Sequence, residues 1–82
     1  MSGTCPIFVD GIASGGSKEI SVGDKNTAEE CALLVRAWKM CCARAITGAT
    51  WNADSDECFA VFAASEIVPD PLKVSKTCLF KG

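Results

Sequence analysis

Alternation of polar and apolar residues marks short β-strands in the first third of the chain. Residues 5–9 form a β-branched and aromatic run that ends at the turn signal Asp10-Gly11. Residues 19–22 alternate polar and apolar side chains, as a half-buried strand does. The Ser- and Gly-rich residues 13–17 between these runs predict a flexible turn.

A capping box at Thr27-Ala28-Glu29-Glu30 predicts the start of a helix, because the threonine hydroxyl can accept from an unpaired backbone amide while Glu30 reaches back to the cap. On a wheel of about 100° per residue, the apolar side chains that follow lie within one arc of roughly 120°. The arc contains Cys31, Leu34, Val35, Trp38, Cys41, Cys42 and Ala45, whereas Arg36, Lys39, Met40 and Arg44 lie outside it. The helix is therefore expected to bury one face.

The second half of the chain predicts a β-hairpin and a closing strand. Residues 49–52, which include Trp51, and residues 57–62, which include two phenylalanines, are separated by a polar tip, which is typical of a hairpin. Residues 63–71 predict a loop, and residues 72–81 a last strand. This order predicts one α+β domain over residues 1–82, an antiparallel β-sheet packed on a single α-helix.

Six cysteines supply the covalent support that an 82-residue chain needs. A domain of this size buries only roughly 60–65 % of its unfolded surface, so its core alone is marginal. An even number of cysteines spread along a small chain favours a disulfide framework formed in an oxidising compartment. The chain is therefore expected to be secreted, and to begin near a processed N-terminus because no signal-peptide pattern is present.

The composition argues against catalysis and against several classes of partner. Histidine and tyrosine are absent, which removes the commonest general acid and base, so the chain is expected to be no enzyme and to use no cofactor. The net charge is −2 and the basic residues are scattered, which argues against nucleic acid as a binding partner. No apolar run approaches the roughly 20 residues that span a bilayer, so membrane insertion is not expected.

The hairpin tip does not match the pattern of a calcium-binding loop. Asn52, Asp54 and Asp56 have the spacing that opens an EF-hand, but Glu57 stands where glycine is needed and Ala63 where the closing glutamate belongs. Zinc is also disfavoured, because the chain has neither histidine nor a Cys-x-x-Cys pair. No metal site is predicted.

Three segments resemble the PAN/apple family. They are residues 28–32 at the capped helix, residues 48–52 in a tryptophan-containing strand, and residues 57–59, Glu-Cys-Phe. The resemblance spans most of the chain. It implies a non-catalytic extracellular recognition module built on a disulfide-stapled helix and sheet.

The resemblance also implies a disulfide pattern. One helix cysteine of the family is tied to the central strand, and in apple-type members the two outer cysteines join the terminal strands. By position this implies Cys31 with Cys58 and Cys5 with Cys78. Family members usually carry a second helix cysteine one turn after the first, where this chain has Val35.

The adjacent pair Cys41-Cys42 has no counterpart in that pattern, and several interpretations stay open. A bond between neighbours closes a small, strained ring, which disulfide geometry disfavours. The pair can instead remain as buried thiols, or bond to another chain or another cysteine. We expect Cys41 and Cys42 to be unassigned thiols, outside the two implied disulfides, or to bond to another chain. Cys41 lies at the edge of the arc and is the one expected to reach outward.

Four apolar residues form a candidate partner surface. Strand alternation sends Phe59 and Val61 to the sheet face away from the helix, and Leu33 and Met40 lie on the exposed side of the helix. Either residues 63–71 or the N-terminal strand cover the two strand residues, or all four contact a partner.

Function follows from these surfaces and from the resemblance. The leading interpretation is a recognition module that binds an extracellular protein or glycan. The alternative is a structural subunit of an extracellular assembly or filament, joined to copies of itself. A toxin or protease inhibitor is disfavoured, because no rigid loop flanked by cysteines is evident.

Overall fold

The computed structural model describes residues 8–14, 18–63, 66–72 and 74–80 and has the predicted α+β architecture, with one helix packed on an antiparallel sheet. The elements are β1 (Val9–Asp10), β2 (Ile12–Ser14), β3 (Lys18–Asp24), α1 (Ala28–Cys41), β4 (Ile46–Asn52), β5 (Glu57–Phe62), β6 (Glu66–Val68) and β7 (Ser75–Leu79). Within the described ranges, all strand pairs are antiparallel.

The larger sheet has five strands in the order β1-β7-β4-β5-β3. Its centre is the predicted hairpin of β4 and β5. Asn52 closes the hairpin tip, because its side-chain oxygen accepts from the backbone N–H groups of Asp54 and Ser55 at 2.8 and 3.1 Å. This asparagine therefore shapes the turn.

The capping box begins α1 as predicted. Thr27 has extended backbone geometry, and its hydroxyl accepts from the backbone N–H of Glu30 at 3.1 Å. The helix ends at Cys41, so Ala45, which the apolar arc included, lies beyond it. Lys39 holds the chain that leaves the helix, because its ammonium donates to the backbone carbonyls of Arg44 and Ile46 at 2.9 and 2.8 Å.

The core lies between α1 and the sheet and is built around two helix residues, Cys31 and Val35, both fully buried. Their buried partners on the sheet are Ile46, Ala49, Cys58, Ala60 and Cys78. Cys31 is disulfide-bonded to Cys58 with their Cα atoms 5.4 Å apart, which confirms that pairing. Cys78 is also disulfide-bonded, but the predicted pairing with Cys5 lies outside the described residues.

The opposite face of the sheet carries a buried polar network. The Thr77 hydroxyl donates to the carbonyl of Gly11 at 2.8 Å and lies 2.8 Å from the Thr50 hydroxyl. Because Thr77 has one proton to donate, Thr50 must be the donor to Thr77. On the same face Val61 is fully buried and Phe59 partly buried, so of the two open alternatives the structure favours cover by this chain over contact of Val61 with a partner. Val61 lies in β5, which is flanked by β3 and β4.

The predicted turn and loop at residues 13–17 and 63–71 contain two short strands that the pattern did not reveal. β2 pairs with β6 in a second sheet, with Ile12 opposite Val68 and Ala13 opposite Ile67. Three-residue strands are too short to show a period of two, so pairing between distant segments decided this structure. Residues 15–17 and 64–65 lie outside the described part of the chain.

Asp70 organises the approach to β7. One carboxylate oxygen accepts from the backbone N–H of Leu72 at 3.0 Å, and the other accepts from Val74 and Ser75 at 3.1 and 2.9 Å. These hydrogen bonds, the one from Leu72 first, favour the charged form and lower the pKa of Asp70.

Acidification is expected to remove the contribution of Asp70 to stability. A carboxyl whose folded pKa is depressed stabilises the fold above its unfolded pKa of about 3.9, and this contribution is lost as the pH falls through the folded value. The stability difference between wild type and Asp70→Ala should therefore be constant near neutral pH and shrink below about pH 4. Urea unfolding of both proteins across pH 2–7 measures it, and a difference that grows on acidification contradicts the assignment.

Candidate functional site

The side of α1 that faces solvent is apolar. Between residues 32 and 42, every residue that is exposed is apolar. Together with the partly buried Leu34, these residues form a surface that we call the apolar helix face. It comprises Leu33, Leu34, Ala37, Trp38, Met40, Cys41 and Cys42.

This surface arises because the sheet covers only one edge of the apolar stripe. Cys31 and Val35 are fully buried, whereas Trp38 is 46 % exposed and Cys41 and Cys42 are exposed. The prediction that Trp38, Cys41, Cys42 and Ala45 share the buried face is therefore wrong. The Cys31–Cys58 bond holds the Cys31 edge of the helix against the sheet, and the other edge is left in solvent.

No exposed charged side chain interrupts the apolar helix face. Arg36 and Lys39 are the only charged residues between positions 33 and 42, and both are partly buried. The ammonium of Lys39 is turned toward the backbone carbonyls after the helix, at 2.8 to 2.9 Å. Charge is found at the ends of the face instead, with Glu29 and Glu30 in the first helical turn and exposed Arg44 after the last.

An open groove of about 300 Å³ runs through this surface. Its lining residues are Leu34, Ala37, Trp38, Cys41 and Cys42. The volume is at the lower end of the range for small-molecule sites, and the groove carries little polar surface. It is suited to an apolar side chain or another small apolar group.

Cys41 and Cys42 are bonded to each other at the end of this groove. The expectation of buried or intermolecular thiols is therefore wrong. Both side chains are exposed, and the helical geometry ends at Cys42, whose φ and ψ are −141° and −20°. Because Cys42 leaves the helical conformation, its side chain can turn back toward its neighbour, which a regular helix would not allow.

The four predicted partner residues do not form one surface. Leu33 and Met40 are 64 % and 66 % exposed and belong to the apolar helix face. Phe59 and Val61 lie on the far side of the sheet. Trp38 was missed as a surface residue, although apolar residues on both sides of the wheel were a signal that the helix has more apolar surface than one sheet can cover.

No group of three or more His, Cys, Asp or Glu side chains could hold a metal ion among the residues that the structure describes. Within those residues, no helix is long and apolar enough to cross a membrane. The apolar helix face therefore stands out as the candidate site.

Comparison of the chain with protein-family models, curated proteins and solved structures found no match. The membership of the PAN/apple family stays a prediction from three short segments. A functional assignment must therefore rest on the surfaces of this chain.

Proposed function

We propose that this chain is a non-catalytic extracellular recognition module of the PAN/apple kind, and that it binds a protein partner through the apolar helix face. One observation carries the proposal: every exposed residue between positions 32 and 42 is apolar. Water-exposed apolar surface of this extent on a small domain is typical of an interaction site, because its burial is favourable by roughly 25 cal/mol per Å².

A protein partner fits this surface better than a carbohydrate does. Sugars are recognised through hydrogen bonds to their hydroxyl groups, and the groove is lined by leucine, alanine, tryptophan and cysteine side chains. Leu33 and Met40, which flank it, add apolar area and no hydrogen-bonding side chain. Aromatic residues and methionine are enriched in protein interfaces, and methionine adapts to partners of different shape.

The charges at the two ends specify the chemistry of the partner. Glu30 precedes Leu33 and Leu34 by three and four residues, so it lies at the N-terminal end of the apolar helix face. Arg44 lies beyond the other end and is exposed. The complementary partner is an amphipathic helix with a basic residue near Glu30 and an acidic residue near Arg44.

The substitutions Leu33→Glu and Met40→Glu are expected to weaken partner binding at least about tenfold each. Burial of such a side chain contributes about 1.5–3 kcal/mol, and 1.4 kcal/mol is a factor of ten in affinity. Wild type and variants would be probed on an array of immobilised extracellular proteins and, in parallel, on a glycan array. The fold should persist, because both side chains are more than half exposed.

Leu72→Glu is the matched control. Leu72 is 78 % exposed, lies in the turn before β7 and does not line the groove, so the same substitution there should leave binding unchanged. Signals on the protein array that both helix substitutions leave intact, or signals on the glycan array alone, would contradict the proposal.

A second function, a subunit that pairs with copies of itself, is favoured by the symmetry of the charges. Exposed Glu30 lies in the first helical turn, and exposed Arg44 follows the other end of the helix. In an antiparallel pair related by a two-fold axis, the Glu30 end of each copy faces the Arg44 end of the other. The apolar helix face is therefore complementary to itself.

Light scattering separates the two functions. A self-pairing subunit has twice the mass of the chain and becomes monomeric on Leu33→Glu but not on Leu72→Glu. Glu30→Arg alone should weaken the pair, and Glu30→Arg combined with Arg44→Glu should restore it. A monomeric wild type at high concentration would exclude self-pairing and leave recognition of another protein.

A further inference from the structure

The bond between Cys41 and Cys42 differs in exposure from the rest of the described disulfide framework. Both of its residues are exposed at the end of the apolar helix face. Cys31 and Cys58 are 0 % exposed, and Cys78 is 1 % exposed. A thiolate in solution can therefore approach Cys41 and Cys42 directly, whereas the other described cysteines become accessible only when the fold opens.

The Cys41–Cys42 bond also connects no separate elements. Its residues are one position apart, so breaking it releases no loop. The Cys31–Cys58 bond closes a separation of 27 residues and joins α1 to β5. Because disulfides stabilise mainly by restricting the unfolded chain, the exposed bond can open while the fold persists.

Adjacency in the chain makes this bond easier to reduce. The Cα atoms of Cys41 and Cys42 lie 3.7 Å apart, the separation that one peptide bond imposes. Most disulfides span about 4.4–6.8 Å between Cα atoms, and departures from that range make the bond more reducible. The groove, which Cys41 and Cys42 help to line, offers an apolar binding site for an incoming reductant.

We propose that Cys41–Cys42 is a thiol–disulfide exchange site that accepts two electrons from a small, uncharged dithiol. A thiolate of the dithiol attacks one cysteine sulfur, so that a mixed disulfide forms, the Cys41–Cys42 bond breaks and the second cysteine leaves as a thiolate. The remaining thiol of the reductant loses its proton and displaces the first cysteine. The dithiol is thereby oxidised to its cyclic disulfide, and the protein gains two electrons and two protons as two thiols.

Reduction at this site changes the end of the apolar helix face. Cys41 and Cys42 line the groove together with Trp38. Opening their ring frees both side chains to adopt separate rotamers and places two thiols beside the indole. The indole of Trp38 therefore reports on the redox state of the pair, because a neighbouring disulfide quenches tryptophan fluorescence.

Stepwise reduction of the native protein by dithiothreitol tests the proposal. Samples would be quenched with iodoacetamide and analysed by peptide mass mapping, with fluorescence and circular dichroism recorded in parallel. Alkylation of Cys41 and Cys42 is expected at least about tenfold faster than alkylation of Cys31 and Cys58, because only the first pair is accessible in the folded state. The circular dichroism spectrum should not change during the fast phase.

Variants separate this site from general reduction. Replacing both Cys41 and Cys42 by serine should abolish the fast alkylation phase and leave the fold intact. Reduction should raise the tryptophan fluorescence, and Trp38→Phe should remove this rise. Trp51→Phe should keep it, because Trp51 does not line the groove and its indole donates to the carbonyl of Lys25 at 2.9 Å. Alkylation of Cys31 and Cys58 as early as that of the exposed pair, or resistance of the exposed pair until the protein unfolds, would overturn the proposal.

Discussion

Replacing Cys31 and Cys58 together by alanine is expected to lower the free energy of unfolding by about 3.5 kcal/mol. The bond closes a separation of 27 residues, and the chain-entropy relation gives this value at 25 °C for a loop of that length. The loss is large beside the roughly 5–15 kcal/mol of a whole domain. Alanine is the appropriate replacement, because both sites are fully buried and a serine hydroxyl would lack a partner there.

Thermal unfolding measures this loss. For a domain of 60–100 residues, 1 kcal/mol corresponds to roughly 4–8 °C in melting temperature, so the double variant should melt roughly 15–25 °C below wild type. Replacement of both Cys41 and Cys42 by alanine is the control, since that bond closes no loop and its removal should change stability by less than about 0.5 kcal/mol. Equal losses in the two double variants would show that the Cys31–Cys58 bond does not hold α1 to the sheet.

The second large effect is expected at Gly48, where β4 approaches β7 too closely for a side chain. A Cβ atom at Gly48 would collide with the backbone carbonyl oxygen of Cys78 and meet Leu79 Cδ2 at 3.0 Å. A backbone carbonyl cannot turn aside as a side chain can, so Gly48→Ala must separate the two strands. Such overpacking costs about 1–3 kcal/mol, and Gly48→Val should cost more.

Hydrogen exchange locates this effect. The N–H of Phe80 donates to the carbonyl of Thr47 at 2.8 Å, beside the contact. In Gly48→Ala, exchange at Phe80 and along the β4–β7 ladder should accelerate more than exchange in the β3–β5 ladder. Leu79→Ala is the control, because it removes packing but keeps the strand spacing. Wild-type stability of Gly48→Ala, or uniform acceleration in both ladders, would contradict the predicted collision.

The apolar helix face connects the two proposals made for this chain. Trp38 contributes to a surface that a partner can cover, and it also lies beside the exposed disulfide. The proposals are nevertheless independent. Leu33→Glu should weaken partner binding without affecting the reduction of Cys41–Cys42, because Leu33 does not line the groove. The two experiments can therefore fail separately.

Patterns that depend on near neighbours were correctly interpreted from the sequence. The capping box at Thr27 predicted where α1 begins, because the cap and its partner are three residues apart. The hairpin of β4 and β5 followed from two aromatic-containing segments on either side of a polar tip. The pairing of Cys31 with Cys58 was implied by the family resemblance and agreed with the expected face of the helix.

Features that depend on contacts between distant segments were not predictable in this way. β2 and β6 are too short to show a strand period, and each forms because the other is present. The burial of Val61 was one of two open alternatives, since alternation gives the face of a residue but not what covers that face. The Cys41–Cys42 bond depends on the backbone leaving the helical conformation at Cys42, whereas the apolar pattern continues past that residue to Ala45.

The sequence by itself determined that this chain has an amphipathic helix, a central hairpin and cysteines enough to staple them, because each follows from local spacing and composition. Only the tertiary structure decided which edge of the helix is buried. The apolar stripe is wider than the sheet that receives it, and the bond from Cys31 selects one edge. The other edge, with Trp38 and the Cys41–Cys42 pair, is left exposed as a surface that local pattern could not distinguish from core.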